Sequence, residues 1–162
     1  MVRKLLGAIT VLLVAIALSW FTTGAVAAEG PICTKTWAAP VDGLWSDAAK
    51  WSPIGVPAAT DDVCIAVDGT YTVTVNGSQS ANTITVGATG NTGVQTVWVQ
   101  GSSSGHATLT SASGFTNAGT LRLESITAGY AITLAVTTGT LTNASTGVIN
   151  VNAGTGGGRT IT

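Results

Sequence analysis

The residues able to do chemistry in this 162-residue chain are few and unevenly placed. Its acids are Glu29, Asp42, Asp47, Asp61, Asp62, Asp68 and Glu124. Asp61-Asp62, with Asp42, Asp47 and Asp68 nearby, are hard oxygen donors, so calcium is the first chemistry they suggest. Their spacing matches no calcium loop, and aspartates that bond their own backbone in turns are the simpler reading. No metal and no cofactor is therefore expected. Past Asp68 the titrating groups are chiefly His106, Arg122, Glu124, Tyr130 and Arg159. A β-helix lyase or glycosidase needs two convergent carboxylates, or a carboxylate and calcium with a basic partner. Arg122 and Glu124 stand at i and i+2 and read as a surface ion pair on one strand face. Ser102-Ser103-Ser104 lie near His106, but no nucleophile elbow or orienting acid accompanies them. No catalytic residue is assigned, and the expectation is a protein that is not an enzyme.

Two further groups carry chemistry of another kind. Cys33 and Cys64 are the only cysteines, and in an oxidising compartment they are expected to pair. Closing a loop of ~30 residues is worth roughly 3 to 4 kcal/mol on the loop-entropy argument. One histidine in the chain and the absence of a CxxC pair argue against zinc. Trp37, Trp45 and Trp51 crowd the same stretch. Large aromatics near a domain end supply buried area, which makes a cap the preferred reading, while rings left on the surface would stack against sugars. All three are kept as candidate carbohydrate-binding residues. Trp98 lies inside an alternating segment and could face either way.

The elements that must hold these residues follow from pattern. Arg3 and Lys4, the apolar run Leu5 to Leu18 and the small-residue stretch Ala25-Val26-Ala27-Ala28 form the three parts of a secretory signal peptide over residues 1–28. The rival, a retained membrane anchor, lacks a basic stop-transfer flank. A lipoprotein is disfavoured because Gly30-Pro31-Ile32 is a poor approach to a lipid-bearing Cys33. Cleavage would leave four basic residues against seven acids, near −3, which is a poor match to nucleic acid. The expected location is outside the cell or on its surface, with no stable membrane insertion after cleavage.

Residues 29–68 hold three of the four tryptophans that follow the leader, all four prolines and both cysteines and read as an N-terminal capping segment; residues 69–162 read as coils. In the second part Tyr71 to Val75, Asn82 to Val86, Thr96 to Val99, Thr120 to Leu123 and Val148 to Val151 alternate Thr with Val, Ile or Leu, a strand signal. The spacing carries more. Phe115-Thr116-Asn117-Ala118 recurs as Leu141-Thr142-Asn143-Ala144, and Gly119 to Leu123 recurs as Gly147 to Val151. Gly129 to Thr133 echoes as Gly158 to Thr162. Drifting repeats of this size are what stacked coils with variable turns give. The expected fold is all-β, a right-handed parallel β-helix with Gly and Asn in left-handed conformations at its corners. Asn117 and Asn143 would stack at one corner as a ladder. The plainer alternative is two loop asparagines.

Trp45-Ser46-Asp47-Ala48-Ala49-Lys50-Trp51, then Gly55-Val56-Pro57 and Asp61-Asp62-Val63-Cys64-Ile65, resembles the N-terminal module of secreted bacterial β-helix surface proteins, and is similar to the G8-type domain. The likeness covers about residues 37 to 75. It implies an adhesin-like β-solenoid involved in adhesion, surface structure or polysaccharide contact, although such proteins usually run for many more coils. The functional expectation is a non-enzymatic structural or adhesive module; the alternative is a polysaccharide-binding or polysaccharide-degrading, pectate-lyase-like β-helix. Extracellular polysaccharide, cell-surface components and edge-to-edge contact with other copies are the candidate partners. The chain stops one strand into a coil, which suggests a fragment of a longer reading frame or an edge that pairs with another copy.

Overall fold

Alternation of Thr with aliphatic residues puts hydroxyls on one side of a strand and Val, Ile and Leu on the other, so each strand needs one buried face. The computed structural model describes residues 32–162; the leader expected over 1–28 lies outside the described residues. The strands are β1 (Lys35–Trp37), β2 (Gly43–Leu44), β3 (Trp51–Ser52), β4 (Asp62–Ile65), β5 (Tyr71–Val75), β6 (Ser78–Val86) and β7 (Gln95–Gly101). They continue as β8 (Ala107–Asn117), β9 (Thr120–Ser125), β10 (Ile132–Val136), β11 (Leu141–Asn143), β12 (Val148–Val151) and β13 (Arg159–Ile161).

One sheet runs β13-β10-β8-β6-β4-β1-β3 with β11 on the second half of β8, and the other runs β12-β9-β7-β5-β2. Between named strands every pairing is parallel except β1 with β3. The long strands β6 and β8 each serve two faces, with a register shift between Ala81 and Thr83. The chain thus winds as a β-solenoid of about five coils and three faces. The first face stacks β1, β4, the ends of β6 and β8, and β11. The second is β2, β5, β7, β9 and β12. The third stacks the starts of β6 and β8 with β10 and β13.

Aliphatic columns fill the interior. Val63, Ile84, Phe115 and Leu141 stack in register, as do Val73, Val97, Leu121 and Ile149. Most of these side chains are buried, and each full burial is worth about 1.5–3 kcal/mol. Coil length varies from 21 residues between Asp62 and Thr83 to 31 between Asn82 and Ser113, because the turns absorb the difference. The Phe115/Leu141 and Leu121/Ile149 repeats pair as their spacing suggests. The third echo does not. Ile132 lies beside Arg159, and Ile161 beside Leu134. The offset is two residues, which keeps every side chain on its own side of the sheet, so alternation alone could not detect it.

The corners also differ from expectation. All positive φ angles among the described residues belong to glycine, and no asparagine adopts one. Gly119 and Gly147 are required for another reason. A Cβ at Gly119 would lie 2.3 Å from the Gln95 carbonyl oxygen, and one at Gly147 would lie 2.2 Å from that of Asn117. Close stacking of one coil's corner on the next explains why glycine precedes both β9 and β12.

β4 already pairs on both sides, with β1 and β6, so the first continuous rung of the ladder lies within the segment read as a cap.

Candidate functional site

The first of the described residues fold as a lid. Trp37, Trp45 and Trp51 are 0%, 0% and 1% exposed. Trp51 meets Trp37 and Trp45 edge-on, with centroids 4.9 and 5.0 Å apart, and its Nε1 donates to the Trp45 carbonyl at 2.8 Å. Trp37 Nε1 donates to the Val41 carbonyl at 3.0 Å. None of the three presents a ring face to solvent, which removes the geometric basis for sugar stacking there and leaves the capping role. The disulfide Cys33–Cys64, with Cα atoms 5.7 Å apart, ties the chain beside β1 to β4. Such a bond belongs to an oxidising, non-cytoplasmic setting. Among the described residues no helix is long and apolar enough to cross a membrane.

Asp47 and Asp61 serve turns, whereas Asp42, Asp62 and Asp68 bond the neighbouring coil. Asp47 accepts from the Ala49 amide at 3.0 Å, and Asp42 from the Thr72 amide at 2.7 Å. Asp61 accepts from the Ala58 amide and the Thr34 hydroxyl, and its carboxyl is held below its ordinary value chiefly by the Ala58 amide. Asp68 is lowered by the Gly93 amide first and then by the amide and hydroxyl of Thr92. Asp62 takes the Asn82 amide group and the Thr83 hydroxyl on the next coil. No cluster of three metal-binding side chains occurs among the described residues.

The ladder of Asn117 and Asn143 forms. Asn117, fully buried, donates from Nδ2 to Asn143 Oδ1 at 2.7 Å and to the Val148 carbonyl at 3.0 Å. Asn143 in turn donates to the Gly147 carbonyl at 2.7 Å. These side chains brace a corner between two coils.

Two outer surfaces remain. On the first face an open groove of about 710 Å³ runs up the coils, floored by Thr36, Cys64, Thr85 and Thr116 with Ala118 and Ala144 alongside. Neither this floor nor the groove's walls hold an ionised side chain. On the second face β7 and β9 bring together the more reactive groups. The Arg122 guanidinium lies 4.0 Å from the Trp98 ring centroid. Its Nε and Nη2 donate to Glu124 Oε2 at 2.7 and 2.6 Å, and Asn152 Nδ2 donates to the same oxygen at 2.7 Å. Asn152 and then Arg122 hold the Glu124 carboxyl below its ordinary value. Trp98 Nε1 is buried without a partner.

This second cluster is the candidate site. The ion pair at i and i+2 was readable in sequence, whereas the stack of Arg122 on Trp98 was not. That contact needs the register Trp98 to Arg122, which the spacing from Val97 to Leu121 would have shown had β7 been aligned to β9. The cluster is poor equipment for acid–base work. Glu124 is its sole carboxylate and is ionised and doubly bonded. Tyr71, pushed up to about 12 by burial, keeps its proton. His106 stands away from the cluster, accepting the Ala131 amide on Nδ1 at 2.8 Å and packing near Tyr130.

Comparison with protein-family models, curated proteins and solved structures returns no match.

Proposed function

We propose that this chain is an exported, non-enzymatic β-solenoid module that acts as a structural or adhesive element outside the cytoplasm. The observation that supports the reading is the outer surface of the coils. It is a set of in-register, charge-poor columns such as Thr72, Thr96 and Thr120, in which the sole Arg–Glu pair is bonded to itself. Such a surface is rigid and repetitive, which suits contact over an area more than chemistry at a point. The resemblance of residues 37 to 75 to G8-type modules points the same way, and the leader at 1–28 supports export. The test has two parts. Expression of the full chain in a secreting host should yield a product lacking residues 1–28, read by mass spectrometry. Purified protein should bind intact cells or immobilised extracellular polysaccharide without altering the polymer's length; turnover of any polymer would defeat the non-enzyme reading.

A second reading, polysaccharide binding at the second face, is favoured by Trp98 and its neighbours. Arg122 and Asn152, which meet on the Glu124 carboxylate and reach the surface, offer donors to ring oxygens and hydroxyls. Arg122→Ala together with Trp98→Ala should then abolish retention on the polymer while the fold persists.

A further inference from the structure

The third face differs from the other two in being nearly all hydroxyl. Its outward residues form two columns, Ser78, Thr108, Thr133 and Thr160, and Ser80, Thr110, Ala135 and Thr162. The pairings Ser78 to Thr108, Thr108 to Thr133 and Thr133 to Thr160 are in register, and the second column continues through Ser80, Thr110 and Ala135. Thr162 completes it, exchanging backbone hydrogen bonds with Leu134 and Val136. The alternate residues Leu109, Leu134 and Ile132 are buried, which fixes the outward direction of the others. Seven of the eight positions carry a hydroxyl and none carries a charge.

These hydroxyls are also unengaged. Several Ser and Thr elsewhere bond the backbone, as Ser111 does to Gly114, Ser125 to Thr127 and Thr138 to Ala112, although outward threonines of the other faces such as Thr96 and Thr116 do not. The hydroxyls of the third face have no protein partner among the described residues. Their positions are nevertheless fixed. Parallel rungs repeat at about 4.8 Å and alternate residues along a strand at about 6.6 Å. Threonine's branched side chain keeps χ1 to few values, so hydroxyl and methyl are held in place before anything binds.

A rigid, neutral, two-dimensional grid of hydroxyls and methyls is complementary to a neutral surface that is itself periodic. The rung repeat lies close to the shorter oxygen repeat of hexagonal ice, the repeat along the strand falls somewhat short of the longer one, and no ionised group on the face imposes a hydration shell of its own. We infer that the third face binds the surface of ice. Waters held between the columns would be bridged by the hydroxyls and join the lattice, with little ordering left to be done on contact.

The test uses the full chain after export. The protein should shape growing ice crystals and depress their growth temperature below the melting point. Thr110→Tyr and Thr133→Tyr, which raise a ring above the middle of the face, should abolish both effects. Thr96→Tyr, at an equivalent outward position of the second face, should leave them intact. Circular dichroism and thermal melting check that each variant is folded. Unshaped crystals with the wild-type protein overturn the inference, as does equal loss in Thr96→Tyr. Retention on crystalline cellulose or chitin, or formation of a dimer, that Thr110→Tyr abolishes while ice is unaffected would also overturn it, because the face would then belong to that partner.

Discussion

Asn117 Nδ2 reaches Asn143 Oδ1 at 2.7 Å across one coil, at a corner where Val86 occupies the rung below. The buried Oδ1 of Asn117 consequently has no partner, and the ladder runs upward only. Asn117→Ala removes two bonds donated by a buried side chain, for an expected cost of about 1–3 kcal/mol. Asn143→Ala also removes two bonds, one accepted from Asn117 and one donated to the Gly147 carbonyl, but from an exposed side chain, and should cost about 0.5–1.5 kcal/mol. Urea unfolding monitored by circular dichroism would rank the two; equal costs would contradict the corner's directionality.

Trp51 is the middle ring of the lid, touching both other tryptophans and bonding the Trp45 carbonyl. Truncating it to alanine opens a large cavity, and about 3–5 kcal/mol of stability should be lost. Trp51→Phe keeps most of the apolar volume but loses the donor, and should be milder. Thermal melting distinguishes the two.

The disulfide is expected to act on the unfolded chain. Cys33→Ala with Cys64→Ala should lower stability by roughly 3 to 4 kcal/mol, the estimate for a loop of this length. Adding reductant to the wild-type protein should reproduce the loss and should leave the double variant unchanged.

Asp68 gives a pH dependence with a definite sign. Its folded carboxyl is lowered by the Gly93 and Thr92 amides, so its stabilising effect is present above the ordinary aspartate range and is lost as pH falls through the depressed value. Below about pH 4 the segment that carries Thr92 and Gly93 should loosen before the coils do. Hydrogen exchange at those two amides measures it. Asp68→Ala should show fast exchange at every pH, and a wild-type rate flat in acid would contradict the assignment.

Arg122 covers the Trp98 ring while remaining partly exposed, so the contact is worth about 0.5–1 kcal/mol at most. Arg122→Ala should cost little stability yet shift Trp98 fluorescence, because the ring gains water. Trp98 is the one tryptophan of the described residues outside the lid, which makes the signal assignable.

The legible part of this molecule was whatever repeats along a strand. Thr72, Val73, Thr74 and Val75 announce a two-sided strand, and the paired Phe115 and Leu141 announce stacking, because both depend only on local spacing. Most of the third face escaped reading. Ala107 to Ser111 and Ser78 to Ala81 have small or polar residues on their buried side, so the contrast between in and out is faint there. The tryptophans were placed correctly in the chain but could not be assigned a direction, since capping and sugar binding want the same residue type. Direction came only with the antiparallel return of β3 onto β1, which folds Trp51 back over Trp37.

That return blunts part of one rim of the solenoid. A parallel ladder ordinarily presents two templating rims; at the first, among the described residues, two faces end on β3, reversed and two residues long, and on β2, equally short, while the third ends on the start of β6. Short and reversed edges resist further pairing. On two of its three faces the first rim is therefore a poor template, and there only the start of β6 keeps backbone groups placed to pair with another strand.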